Sequence, residues 1–224
     1  ILPACVQGGS EGDSPRAGEA SASLRGGGFG ICDPADLTAA LDAASPGDTV
    51  RVGVCTVRGS FTVPSGVTLS GLHPMLSAIE APAGRVGVQL CADSGRSELR
   101  NIRVESDGVA GVIVGGSDEA ALRNVVGLAD RGVGIALDGI DRVDLRGVYL
   151  QGPVTPDSAD TVVHDAPPTT IATHGIVADG VADARLRGVT AHGFSQFGAL
   201  FVDSNVRWRG GGVGIGVGVG IAAW

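Results

Sequence analysis

A short phrase recurs along this chain at intervals of about 23 residues, and it limits the possible folds more than any other feature. It consists of a leucine, an arginine, an asparagine or glycine, and a branched apolar residue. The copies lie at 99–102, 122–125, 145–148, 186–189 and, in a degraded form, at 208–211. One interval is longer and holds an insertion at about 153–173. A repeat of this length, rich in valine and glycine, predicts a solenoid in which strand stacks upon strand.

The third position of the phrase predicts a bend. Only asparagine and glycine occur there, and these residues enter the left-handed backbone region at the lowest cost. We therefore expect one strand to stop at this position and another to begin, with the leucine and the branched residue turned into the core. The positions are Asn101, Asn124, Gly147, Gly188 and Gly210.

A second apolar run lies between successive phrases, at 111–114, 134–137, 175–178, 199–202 and 220–223. Short branched runs bounded by glycine and aspartate are typical of buried parallel strands. A helix is the competing interpretation, but each interior glycine costs a helix about 1 kcal/mol. Each turn of the coil is therefore expected to contain at least two strands.

Charge restricts the class of partner. The chain has 224 residues and a net charge of −8, whereas nucleic-acid binding requires a basic surface, so we expect no nucleic-acid partner. The same charge disfavours an acidic polysaccharide unless a local basic patch overrides it. Every basic residue is an arginine, which excludes a lysine base or a Schiff base.

The amino terminus predicts a location outside the cytoplasm. The chain begins with Ile1 instead of methionine, and residues 2–5 read Leu-Pro-Ala-Cys. This segment resembles the end of a bacterial lipoprotein signal, with Cys5 as the lipidated residue and the only link to a membrane. The alternative is a secreted protein without an anchor. The glycine- and serine-rich residues 1–30 are expected to form a flexible tether.

Three more cysteines follow Cys5. Cys32 precedes a predicted helix and Cys55 ends the first strong strand, so a disulfide between these two residues is the favoured pairing. Cys91 lies at a strand end where other repeats have glycine or aspartate, and we expect it to be a small buried residue without a partner. No spacing of cysteine and histidine indicates zinc.

The beginning of the repeat region resembles a known family. A predicted amphipathic helix at 34–45 leads into Ser-Pro-Gly-Asp-Thr-Val at 45–50 and Gly-Val-Thr-Leu-Ser-Gly at 66–71. This order resembles the pectin-lyase-like superfamily, in which such a helix plugs the amino-terminal end of the coil. The resemblance covers residues 31–224 and implies an all-β fold, a right-handed parallel β-helix. The superfamily includes polysaccharide lyases, glycoside hydrolases and adhesins, so the resemblance does not define an activity.

Candidate catalytic groups are sparse on the sheet that would carry them. In the enzymes of that superfamily, catalytic groups project outward from the first sheet and its turns. The predicted outward column of that sheet is apolar here, which indicates that the insertion or a partner covers it. The column is Gln89, Ile113, Ala136, Val177, Phe201 and Ala222.

Beside this column, the next one places Asp138, Asp179 and Asp203 on successive turns. Three carboxylates in a row could ligate Ca²⁺ or supply an acid and a base. The alternative is that each aspartate accepts hydrogen bonds from its own turn. The insertion contains His164 and is followed by His174, and long loops are often functional. These five residues are the candidate catalytic set, with calcium as the only candidate cofactor.

The arginines of the phrase are the most regular polar feature. Acidic residues lie two positions before two of them, at Glu98 and Asp144, so the plain interpretation is a solvated ladder neutralised by its neighbours. The alternative is a row of guanidinium groups that binds an acidic polymer or lipid headgroups. The ladder is Arg100, Arg123, Arg146, Arg187 and Arg209.

Two functions follow from these observations. The first is a structural or glycan-binding scaffold at the outer surface of a bacterium, with a polysaccharide or cell-surface partner. The second is a polysaccharide lyase or glycoside hydrolase that uses the aspartate column with His164 or His174. The chain stops at Trp224 within a strand pattern, from which we expect the coil to continue beyond it. Substrate and assembly state cannot be predicted from these patterns.

Overall fold

The protein is a coil of parallel strands that begins with one short helix. A computed structural model describes residues 30–153, 173–213 and 219–223. Strands account for 61% of the structure and form an all-parallel β-solenoid of about six turns. This is the fold class that the repeat and the resemblance predict.

The helix α1 spans Pro34–Asp42. Strands β7 and β8 are long because each continues through bends from one face of the solenoid to the next. The strands of the described residues are β1 (Thr49–Arg51), β2 (Cys55–Arg58), β3 (Phe61–Val63), β4 (Thr68–Ser70), β5 (Ser77–Glu80), β6 (Val88–Cys91), β7 (Ser97–Gly115), β8 (Glu119–Asp138), β9 (Arg142–Arg146), β10 (Tyr149–Gln151), β11 (His174–Asp179), β12 (Asp183–His192), β13 (Phe197–Val202), β14 (Val206–Val213) and β15 (Val219–Ala223).

Each turn has three faces, where the sequence predicts at least two. The first face contains β1, β4, β9 and the starts of β7, β8, β12 and β14. The second contains β2, β5, β10 and the continuations of those long strands. The third contains β3, β6, the ends of β7 and β8, and β11, β13 and β15. Equivalent residues of successive turns therefore form columns with a spacing of about 4.8 Å.

The bend between the first and second faces is the predicted one. Asn101 and Asn124 have φ angles of 54° and 51°. The glycines of the later copies, Gly147, Gly188 and Gly210, have φ angles of 59°, 59° and 65°. Asparagine and glycine recur because the backbone is left-handed there. Nδ2 of Asn124 also donates a hydrogen bond of 2.9 Å to Oδ1 of Asn101, which links successive bends.

The apolar residues of the phrase form the core, as predicted. Each leucine is fully buried, and so is the branched residue that follows the bend. In the degraded copy, Trp208 is half-buried and meets the ring of Phe201 edge-on, with 6.2 Å between the ring centroids. The buried leucines are Leu99, Leu122, Leu145 and Leu186.

The helix caps the amino-terminal end of this core. Oδ1 of Asp33 accepts hydrogen bonds from the first turn, which starts the helix. Leu37 and Leu41 are buried against the core, so the predicted apolar face is confirmed. The helix ends at Asp42, earlier than the predicted 45; Pro46 disfavours helical backbone at Ser45, the residue before it.

A disulfide between Cys32 and Cys55 ties the start of the helix to the second face, and this is the pairing that the sequence favours. Cys91 is also disulfide-bonded, which contradicts the expectation of a cysteine without a partner. That expectation was wrong because burial alone does not distinguish a thiol from a disulfide sulfur. The other half of this bond lies outside the described residues.

We expect the double substitution Cys32→Ser and Cys55→Ser to lower the free energy of unfolding by about 3 kcal/mol. The bond joins residues separated by 23 positions, so its loss frees a loop in the unfolded chain. Urea denaturation of the variant against wild type measures the change. Thr56→Ser, at an exposed neighbouring position, is the control and should leave the midpoint unchanged. Equal midpoints for the double variant and wild type would contradict the prediction.

Several predictions fall on residues outside the described ranges. They are the lipid on Cys5, nearly all of the tether at 1–30, His164 and most of the insertion at 153–173. Within the described residues, no helix has the length and apolar character needed to cross a membrane.

Candidate functional site

The outer side of the third face is apolar, as expected, and its centre is covered. Ile113 is only 3% exposed and Ala136 only 8%, although both belong to a small cluster separate from the main core. Ala110 completes that cluster, and Val86 and Val133 pack against it. The central part of this face is therefore closed to a soluble ligand.

The register of β13 differs from the predicted one by a single residue. Ala199 pairs with Ile176, so Leu200 takes the outward position and Phe201 turns into the core with 4% exposure. Phe197 pairs with His174, so Gly198 is the equivalent of Gly175 in the next turn. A Cβ atom at Gly175 would overlap the carbonyl oxygen of Gly198, so the glycines, and not the branched residues, mark the equivalent positions.

The same shift removes Asp203 from the aspartate column. Asp138 and Asp179 are direct neighbours, but the next residue of the column is Val202. Asp203 lies in the turn that follows, with a φ of 44°. Within the described ranges, no three histidine, cysteine, aspartate or glutamate side chains are close enough to hold a metal ion. The prediction of a column of three aspartates is therefore wrong, and the described residues do not support a calcium site at these aspartates.

His174 is not part of an acid–base pair with the aspartates. It begins β11 whereas Asp179 ends that strand, a separation of about 16 Å. The His174 ring stacks on Phe197, with 5.5 Å between centroids and 12° between planes. Its buried Nδ1 has no hydrogen-bond partner among the described residues. His164, the other candidate, lies outside the described residues.

Burial holds the pKa of His174 below its usual value of 6.5. In the window between the folded pKa and 6.5, the unfolded chain therefore binds more protons than the folded protein. The stabilising contribution of neutral His174 is complete above 6.5 and decreases as the pH falls through this window.

We therefore expect wild type to lose more stability than His174→Gln between about pH 7.5 and about pH 5. Urea midpoints at both pH values measure the difference. Thr56→Ser, which removes no titratable group, is the control and should show the pH dependence of wild type. An identical pH dependence in wild type and His174→Gln would contradict a neutral His174.

The structure confirms the arginine ladder as a continuous column on the first face. Its five members pair strand to strand over five successive turns, so their guanidinium groups lie along one line parallel to the solenoid axis. Arg51 and Ser70 extend the column toward the amino-terminal end. We call this surface the arginine face.

A second column lies two residues upstream on each strand, and its side chains determine which arginines of the ladder have their charge neutralised. It reads Glu98, Ala121, Asp144, Arg185 and Arg207 in successive turns. Acids therefore accompany the early part of the ladder, whereas the last two turns have arginines in both columns. The charge pattern changes along one continuous surface.

The early part of the ladder is neutralised, as the sequence indicates. Glu98 lies 3.8 Å from both Arg100 and Arg123. Asp144 makes two contacts of 2.9 Å and 2.6 Å with Arg146. Burial acts to raise the pKa of Asp144, but the hydrogen bond and the charge of Arg146 outweigh it and hold that pKa below its usual value.

The last two turns contain four arginines that line a shared cleft of about 180 Å³, and we call them the arginine cluster: Arg185, Arg187, Arg207 and Arg209. Asp183 contacts Arg185 at 2.7 Å, and the hydrogen bond between them holds the pKa of Asp183 below its usual value. In the described part of the chain, the other three arginines have no acidic group within 4 Å. The cluster is therefore a local basic patch on an acidic protein.

Two members of the cluster lie outside the repeated phrase and were missed for that reason. Arg185 and Arg207 precede the phrase by one residue, so only the parallel register shows that they stand beside each other. The signal that indicates them is an Arg-x-Arg pattern in two successive turns, at 185–187 and 207–209.

The cluster supplies the donors and the positive charge that anion binding requires. Guanidinium groups hold carboxylate, sulfate and phosphate groups through paired N–H donors. The cleft has two arginines on each of two strands, separated by about 7 Å along a strand and about 4.8 Å between strands. This spacing suits a ligand with several negative groups.

Comparisons of the chain with protein-family models, with curated proteins and with solved structures give no match. The fold therefore defines the class of protein, a parallel β-helix, and the arginine cluster defines its most distinctive surface.

Proposed function

We propose that this protein is an extracytoplasmic β-helix scaffold that binds acidic polysaccharides through its arginine cluster. The observation that carries the proposal is the set of three arginines that, among the described residues, have no acidic group within 4 Å, at the end of an otherwise neutralised ladder. A protein with a net charge of −8 gains no general affinity for polyanions, so the cluster must act locally. Its open face has room for a chain that runs along the solenoid axis.

A polymer fits this surface better than a small anion. The column two residues upstream adds a charged side chain in every turn except that of Ala121, so a sugar chain that lies along the axis would meet a row of polar side chains. The local charge supports carboxylated or sulfated glycans over neutral ones. Membership of the pectin-lyase-like superfamily is part of the proposal, supported by the cap and the motifs at 45–50 and 66–71.

The disulfides support the extracytoplasmic location, because such bonds persist in oxidising compartments. Attachment by a lipid on Cys5 excludes a disulfide through the same sulfur. Peptide mapping without reduction therefore distinguishes an anchored protein, with a lipidated Cys5 peptide, from a secreted one.

The enzymatic alternative has less support. Asp138 and Asp179 are adjacent and exposed, but neither His174 nor Asp203 joins them. The described residues hold no other arrangement of an acid and a base near the arginine cluster. We therefore assign binding without cleavage.

The test compares polymers that share a backbone and differ in charge. Affinity electrophoresis with dextran and dextran sulfate, and with esterified and de-esterified polygalacturonate, measures retardation of the protein. We expect retardation by the charged members only, weakening as salt rises because salt screens exposed charges. Equal binding to charged and neutral members, or binding to none, would refute the proposal. Release of reducing or unsaturated sugar ends would favour the enzyme instead.

A further inference from the structure

A group of exposed apolar side chains lies at the opposite end of the arginine face. Met75 is 69% exposed, and Leu72 and Leu76 are each 50% exposed, in the loop between β4 and β5. Val54, 53% exposed, precedes the strand that pairs beside this loop. We call these four residues the apolar tip. Large exposed apolar side chains concentrated in one place are unusual on a surface that only meets water.

The loop is held in a defined shape. The His73 carbonyl accepts hydrogen bonds of 2.9 Å from the amides of Leu76 and Ser77. Oγ of Ser77 accepts a hydrogen bond of 3.0 Å from the amide of Leu72 and donates one of 2.6 Å to the carbonyl of Gly53. The apolar side chains are therefore presented outward by a fixed backbone.

A cleft of about 230 Å³ lies at the base of the tip. Leu72 forms part of its wall, and Arg51 and Arg100 supply positive charge from the arginine face. Among the described residues, Arg51 has no ion pair, whereas Arg100 lies 3.8 Å from Glu98 and its Nε donates to Oγ of Ser70 at 3.3 Å. The apolar tip thus adjoins a cleft that is lined by arginines and is large enough for a small polar group.

We infer that the apolar tip docks onto a membrane surface that carries anionic phospholipids. The side chains of Leu72, Met75 and Leu76 enter the boundary of the acyl chains, and Arg51 and Arg100 meet lipid phosphates. The combination commits the site to a lipid surface, because exposed apolar side chains directly adjoin a cleft that is lined by arginines. This inference does not depend on glycan binding.

Membrane docking would set the orientation of the whole protein. Arg51 and Arg209 stand at opposite ends of one column, six strand spacings or about 29 Å apart. With the tip at the lipid and the solenoid axis upright, the arginine cluster lies at the far end of this column. The two sites can then act at the same time.

Co-sedimentation with vesicles tests the inference. We expect wild type to sediment with vesicles of phosphatidylcholine and phosphatidylglycerol, and not with phosphatidylcholine alone. Leu72→Ser with Met75→Ser should weaken this binding roughly tenfold or more, since two inserting side chains are lost. Arg51→Gln should weaken it less. The control is Val109→Ser, which alters an exposed valine (54%) outside the tip and should bind as wild type does.

The inference would be overturned if wild type sedimented with neither vesicle, or if the Leu72→Ser and Met75→Ser variant bound as wild type does. A protein partner would then be the remaining explanation for the apolar tip. Dextran sulfate binding by that same variant should equal that of wild type. Failure of membrane docking is thereby separated from failure of glycan binding.

Discussion

Replacement of Arg187, Arg207 and Arg209 by glutamine in one variant is expected to lower the affinity for dextran sulfate by roughly tenfold or more. In the described residues these arginines have no acidic group within 4 Å, so their charge is available to a ligand. Glutamine keeps the length and polarity of the side chain, and all three positions are exposed, so the fold should be unaffected. Affinity electrophoresis and circular dichroism measure binding and folding on the same samples.

The matched control changes the net charge by the same amount elsewhere. Arg58, Arg103 and Arg131 each pair with an acid on another part of the coil, at 2.9, 2.6 and 3.1 Å. Their replacement by glutamine should reduce binding far less than the cluster variant does. If both triple variants lost affinity equally, binding would depend on total charge and the arginine cluster would have no special role.

Leu122→Ala is expected to produce the largest loss of stability, about 2–5 kcal/mol. The side chain is fully buried between Leu99 and Leu145, in the column that runs along the core. Neighbouring turns are fixed by their own strand pairing, so they cannot close the resulting cavity. Urea denaturation followed by circular dichroism measures the change.

The control for this substitution is Leu76→Ala, at a leucine that is 50% exposed. An exposed substitution of this kind should change the free energy of unfolding by about 0.5 kcal/mol or less. Equal effects of the two substitutions would contradict the assignment of the phrase leucines to the core.

The bends and the core could be predicted because each depends on residues within one turn. A position restricted to asparagine and glycine requires left-handed backbone, and Asn101 and Gly147 have it. The helix could be predicted in the same way from an acidic cap and the spacing of Leu37 and Leu41. Such local requirements leave a clear trace in the order of residues.

The site could not be predicted in full because it depends on how turns align. The register predicted for β13 was wrong by one residue, and such a shift exchanges inward and outward positions. The prediction therefore placed Phe201 on the outside and added Asp203 to a column that it does not join. The role of Arg185 and Arg207 likewise appears only when two strands lie side by side. The partner state of Cys91 depends on a contact far away in the sequence.

The most direct test of the account is nuclear magnetic resonance of the arginine Nε–H groups during titration with short de-esterified polygalacturonate chains. Acidic-glycan binding by the arginine cluster predicts that the signals of Arg185, Arg187, Arg207 and Arg209 shift together and saturate, whereas those of Arg58 and Arg131 stay in place. Shifts spread evenly over all these arginines, or absent from the cluster, would contradict it.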